Sequence, residues 1–152
     1  EEIVSGWVKN LATNVFPDDT KLLEAIDAGI CDVGIANTYY YGKYAADKAA
    51  TKVAIFWPNQ KTKGVHVNVS GAGITKYAKH EKAALKFLEW LSSDKAQNLF
   101  VDANYEFPAN SKIKSSEKIA AWGTFKPNVI NVSKAGELQA SAVKLMDRAQ
   151  YK

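Results

Sequence analysis

Apolar residues recur along this chain with two periods, and the segments that carry them alternate. Leu22, Leu23 and Ile26 share one face of a short helix that Thr20 can cap and Gly29 can end. Residues 31–36 then read as a buried strand. A helix starts at Tyr39 and runs to about Ala49, with Ala45, Ala46, Ala49 and Ala50 allowing close packing. Residues 53–56 read as a second short buried strand, ended by Trp57-Pro58 because proline offers no ladder donor. Residues 65–70 alternate at period two, the mark of a third strand. Helical spacing returns with Ala84, Leu85, Leu88 and Leu91 over residues 81–92. It continues with Ala96, Leu99 and Phe100 in a helix that Ser93 or Asp94 can cap. A short helix is expected over 115–121 and irregular chain around Pro127. In a last helix, over 134–148, Leu138, Ala142, Leu145, Met146 and the following Ala149 form a face suited to packing on a sheet. Residues 1–8 read as the end of a helix already under way. Strands interleaved with helices make the expected fold class α/β.

Composition narrows this picture. The chain has 152 residues, 47% hydrophobic and 24% charged, the proportions of one globular domain with a real core. The net charge is +4, but the lysines are scattered among acidic residues. That pattern is a solvated surface rather than a nucleic-acid footprint. No apolar run approaches the ~20 residues that cross a membrane, and residues 1–4 do not read as a signal peptide. Cys31 is the only cysteine, so no internal disulfide can form, and it reads as a small buried apolar side chain.

The usual chemistries find no local signature. His66 and His80 are the only histidines, are not at helical spacing and have no cysteine partners, so no zinc set is visible. Neither a serine–histidine–acid nor a cysteine–histidine arrangement stands out, and the chain does not read as an enzyme. Gly71-Ala72-Gly73 is a lone Gly-x-Gly and reads as a tight turn. Three adjacent tyrosines, Tyr39, Tyr40 and Tyr41, remain at the junction of strand and helix. Each buried hydroxyl would need a partner, so a core has little use for them. Ligand sites in open α/β sheets lie beyond the carboxyl ends of strands, where this junction falls. A helix N-terminus favours anions and a bound cation overturns the pKa logic of its ligands. Phenolates here would be hard oxygen donors for a hard, highly charged metal. The alternative is an aromatic cluster on a cleft wall.

Asn37-Thr38-Tyr39-Tyr40, following Cys31-Asp32-Val33-Gly34-Ile35-Ala36, closely resembles the tandem-tyrosine motif of the bacterial ferric-iron-binding proteins of ABC transporters. Further segments resemble the same family in the same order: residues 64–76, 89–97, 104–108 and 144–149. The resemblance implies a class II periplasmic-binding-protein fold, two lobes joined by a hinge. It makes Tyr39 and Tyr40 the ligands of one Fe(III) ion. Tyr41 becomes a packing neighbour, Asn37 a contact to a synergistic anion beside the iron, and Lys43 a charge able to balance phenolate. Residues 1–69 and 121–152 would build the tyrosine-bearing lobe and residues 70–120 part of the other lobe. Family members are about twice as long as this chain, so the resemblance implies that most of that other lobe is missing and that the iron's remaining ligands lie outside this chain.

The implied function is capture of ferric iron in the periplasm, free or tethered to the membrane, and delivery to an inner-membrane ABC permease. The implied partners are that permease and either the missing N-terminal half or another copy of the chain. Two readings from other classes stand beside it. One is a nucleic-acid module using four Trp, seven Tyr and six Phe with the basic balance. The other is an interaction domain with the tyrosines as its hot spot. A binding protein for another small solute is the nearer rival.

Overall fold

The computed structural model describes residues 1–151, so the last residue of the expected 121–152 segment, Lys152, lies outside the described residues. Among the described residues seven helices form in chain order: α1 Glu2–Lys9, α2 Asp19–Asp27, α3 Thr38–Ala46, α4 Glu81–Leu91, α5 Asp94–Asn104, α6 Glu117–Ala120 and α7 Ser133–Arg148. Their starts follow capping chemistry. Asp18 accepts the Lys21 amide at 2.8 Å and starts α2. Ser93 accepts the Ala96 amide and starts α5, and Ser116 does the same for α6 through Ile119. The α2 cap is therefore Asp18, with Thr20 inside the helix. Gly29, at φ +75°, ends α2 in a conformation that costs glycine little.

The best-packed region lies where α2, α3 and the loop after α3 meet. Leu23, Tyr44 and Val53 are buried together, with Ile26, Tyr40 and Tyr41 packed against them. Asp27, the last residue of α2, ties the three pieces. It accepts hydrogen bonds from the Tyr44 hydroxyl at 2.8 Å, the Lys52 amide at 2.8 Å, the Thr51 hydroxyl at 3.2 Å and the Lys48 ammonium at 3.1 Å. These donors hold its carboxyl well below the usual carboxylate range, the Lys52 amide having the largest effect. The same bonds explain why α3 stops at Ala46 rather than near Ala49. Residues 48, 51 and 52 are drawn back to Asp27, and helical backbone cannot make that return.

A second set of contacts joins residues 57–65 to residues 122–128. The Trp57 indole donates to the Trp122 carbonyl at 3.0 Å, and Gln60 accepts the Lys126 amide at 2.6 Å. Val65 pairs with Pro127 in a single parallel bridge. Gly64, at φ +87°, lies so close to Lys126 and Pro127 that a Cβ there would stand 2.5 Å from a carbonyl oxygen. Trp57, Phe107, Phe125 and Trp122 stack and meet edge to face around this junction, and Tyr41 extends the cluster by meeting Trp122 edge-on at 5.8 Å.

Three sequence expectations are corrected here. First, the strands of the α/β reading do not form: among the described residues there is no strand, only the Val65–Pro127 bridge. Residues 31–36, 53–56 and 65–70 make no ladder, because a strand needs neighbours on its edges and the chain offers them none. Second, the segment 31–36 is exposed rather than buried: Val33 and Ile35 are each 81% exposed, and Cys31 is half-buried. Third, the apolar faces of α4 and α7 have the expected period but bury nothing. Leu138 is 59% exposed, since the sheet it was expected to meet is absent.

Candidate metal centre

The irregular segment after Gly29 delivers the chain to the N-terminus of α3, and the tyrosines fall in that helix's first turn. The Tyr40 amide donates to the Asn37 carbonyl at 3.1 Å, closing the turn. Tyr39 and Tyr40 then project side by side, with ring centroids 4.5 Å apart and planes at 44°. Adjacent helical residues normally diverge. Here Tyr40 leans onto the α2–α3 core, and Tyr39 stays beside it half-buried.

Opposing fields act on this pair. The helix N-terminus favours phenolate. Against it, the Tyr39 hydroxyl is pushed above its ordinary pKa, first by partial burial, then by a hydrogen bond with Tyr40 and the charges of Tyr40, Asp19 and Glu106. Tyr39 is therefore a neutral phenol at ordinary pH, and a cation beside it is what would tip it to phenolate.

The other expected residues divide. Asn37 stands at the N-cap position of α3, but its side chain does not cap. Its amide nitrogen donates to Asp19 at 3.4 Å and its carbonyl accepts from the Asn68 amide at 3.1 Å. Lys43, one turn along, sits over the Tyr39 ring at 5.9 Å from its centroid, a cation–π placement. Tyr41 points away, to Trp122. On the flank of Tyr40, a groove of about 350 Å³ runs between α2 and α3, lined by Lys43, Tyr44 and Lys48 among others.

Asp19, Glu106 and Asn68 were not singled out as site residues from the sequence. They lie 20, 67 and 29 positions from Tyr39, and no local pattern marks them. Glu106 arrives through Tyr105, whose left-handed backbone (φ 56°) ends α5 and whose ring lies directly on Gly42 of α3. Among the described residues no group of three or more His, Cys, Asp and Glu could hold a metal.

Residues 2–127 match the family of bacterial extracellular solute-binding proteins. The chain belongs to that family. The chain is 39% identical over 153 residues to iron uptake protein A1 of Synechocystis, aligning over 97% of its own length and 42% of that protein. It is 23% identical over 150 residues to the major ferric iron-binding protein of Neisseria meningitidis. Among solved structures, a Trichodesmium protein (IdiA, FutA) in complex with iron and citrate ligands matches with a TM-score of 0.85 at 39% identity, over 97% of this chain and 49% of that one. The ferric binding protein of Campylobacter jejuni matches with a TM-score of 0.90 at 34% identity, over 98% of this chain and 49% of that one. These neighbours are periplasmic ferric-binding proteins of the class II binding-protein fold, and the chain spans about half their length. The relatives bind solutes and none is named as an enzyme.

Proposed function

We propose that this chain supplies Tyr39 and Tyr40 as two phenolate ligands to one ferric ion, as half of a solute-binding protein that captures Fe(III) and passes it to an ABC permease of the inner membrane. The observation that carries the reading is the tyrosine pair itself, two rings with centroids 4.5 Å apart in the first turn of α3. It is supported by the names of the relatives, which concern iron uptake and ferric iron binding. An anion can share the coordination sphere, citrate being present with iron in the Trichodesmium relative. Asn37 and Lys43 would order the surroundings of the pair, and Tyr41 its packing.

In this reading residues 1–69 and 121–152 form the tyrosine-bearing lobe and residues 70–120 belong to the other. The chain crosses between them twice, near Val65 and near Pro127, where the two segments lie side by side in parallel. Hinge closure would bring the remaining ligands from a complementary half, and the working place would be the periplasm, free or membrane-tethered. The protein would bind its solute without transforming it.

Substituting both tyrosines tests this. Phenylalanine keeps the rings and removes the oxygens. With the wild-type chain, ferric iron should give a visible phenolate-to-iron charge-transfer band, and Tyr39→Phe,Tyr40→Phe should abolish it with an unchanged far-ultraviolet circular dichroism spectrum. A wild-type chain without the band, alone or paired with its complementary half, would leave a solute-binding fold for some other ligand. Survival of partner binding in the double variant would then favour the interface reading.

A further inference from the structure

The first turn of α3, which carries the tyrosine pair, is held weakly by its own N-terminus. Asn37 gives no side-chain cap, whereas α2, α5 and α6 are each capped. The far end of α3 is fixed by Tyr44, which is buried and donates to Asp27 at 2.8 Å. Next to the pair, the side chain that reaches beyond α2 and α3 is Tyr41. Its ring packs on the α2–α3 core and meets the Trp122 ring edge to face, with centroids 5.8 Å apart and planes at 68°. Gly42 offers no side chain, and the Tyr105 ring fills the space beside it. Trp122 is half-buried and is itself anchored. Its amide and that of Gly123 donate to the Ile119 and Ala120 carbonyls at 3.0 and 3.1 Å, just after α6. Its carbonyl accepts the Trp57 indole at 3.0 Å, and Phe107 stands edge-on to its ring at 6.1 Å.

We propose that Trp122 is a positioning residue for the tyrosine pair: through Tyr41 it fixes the roll of the first turn of α3 and so where the Tyr39 and Tyr40 oxygens point. The inference rests on the tyrosinate reading. Neighbouring residues on a helix diverge, so two adjacent tyrosines share one ion only within a narrow range of helix roll. A side-chain tip lies about 6 Å from the helix axis, and a roll of about 20° moves it by about 2 Å. A binding constellation tolerates about 0.5 Å. The far end of α3 is held by Tyr44, but the uncapped first turn has freedom to twist against it. Tyr41 is the lever on that freedom, because it extends from the same turn as the pair and its ring abuts a fixed partner. An edge-to-face contact suits this task better than plain apolar packing, since the ring quadrupoles prefer particular relative orientations. Trp122 lies 83 positions from Tyr39 in sequence and touches the iron-binding turn only through Tyr41. It connects that turn to the junction of residues 57–65 with residues 122–128, where Trp57 donates to its carbonyl.

The test titrates the chain with ferric nitrilotriacetate and follows the phenolate-to-iron band, with a thermal melt of each variant alongside. Trp122→Leu keeps an apolar side chain but removes the ring. It should bind iron about fivefold more weakly and shift the band maximum, because the two phenolates meet the ion at altered angles. Trp122→Phe restores a ring and should return the affinity to within about twofold of wild type, with the band in its original place. Phe125→Leu loosens the same junction, where Phe125 stacks on Trp57 at 4.5 Å, without touching Tyr41. It should lower the melting temperature and leave both affinity and band unchanged. A Trp122→Leu chain with wild-type affinity and band overturns the inference while the tyrosinate reading stands. So does a Phe125→Leu chain that loses as much affinity as Trp122→Leu, since binding would then follow overall stability. Should Trp122→Leu not fold by circular dichroism, Tyr41→Leu removes the same contact from the other side and decides by the same two readouts. If the wild-type chain gives no band, the tyrosinate reading falls and takes the inference with it.

Discussion

Asp27 shows how much of this structure hangs on single side chains. Four donors, one from α3 and three from the loop after it, converge on one carboxylate, and its proton affinity falls as a result. The folded group binds protons less readily than the unfolded one, so its contribution to stability is present above the unfolded carboxylate's pKa of about 4 and is lost as pH falls below it. An acid titration followed by circular dichroism should therefore lose structure below about pH 4 in wild type, and Asp27→Asn should lower the melting temperature at neutral pH while flattening that acid dependence. An unchanged acid profile in the variant would mean that other carboxylates dominate. The candidate site was half legible at this scale. Tyr39 and Tyr40 are adjacent in sequence and carry a recognisable motif. Asp19 meets Asn37, and Tyr105 meets Gly42, only through the packing of α2 and of the end of α5 on α3. Chain order holds no trace of that.

At the scale of elements, the helices were readable because their signals are local. Ser93 caps α5 as expected, Gly29 ends α2, and the limits of α4 and α7 fall within a residue of the hydrophobic period. The strands were not, because alternation marks which side of a strand would be buried but cannot provide the neighbour that makes it a strand. The packing of α3 on α5 offers a prediction of its own kind. A Cβ at Gly42 would stand 2.6–2.7 Å from the Cγ and Cβ of Tyr105. Alanine would gain about 1 kcal/mol of helix propensity over glycine. Those Tyr105 atoms sit next to a backbone held at positive φ and cannot swing aside, so overpacking of about 1–3 kcal/mol should win. Gly42→Ala should thus destabilise in thermal melts, and Tyr105→Gly in the same chain, which removes both clashing atoms and suits the positive φ, should return much of the loss. A stabilised Gly42→Ala would show that α5 shifts away at little cost.

For the whole molecule, the amount of surface decides. A closed globule of this mass exposes roughly 7,600 Å², whereas this chain exposes 11860 Å². The difference, about 4,000 Å², is of the size that obligate interfaces bury. Part of it lies where strands were expected, Val33, Ile35 and Phe56 each being more than four-fifths exposed, and Val129 in the irregular chain after Pro127 is as exposed. Alternating apolar residues with free backbone edges are a template for pairing with other chains, and a span of about half its relatives fits a surface that another half would cover. In isolation the chain should bind an apolar dye such as ANS and sediment as more than a monomer. A polypeptide corresponding to the complementary half of a Synechocystis relative should suppress both behaviours. At a hundredfold excess over Kd it should add about 2.7 kcal/mol, which for a domain of this length is roughly 5–10 °C in Tm. A sharp monomer that ignores both dye and partner would show that these apolar segments are native surface and that no complementary half covers them.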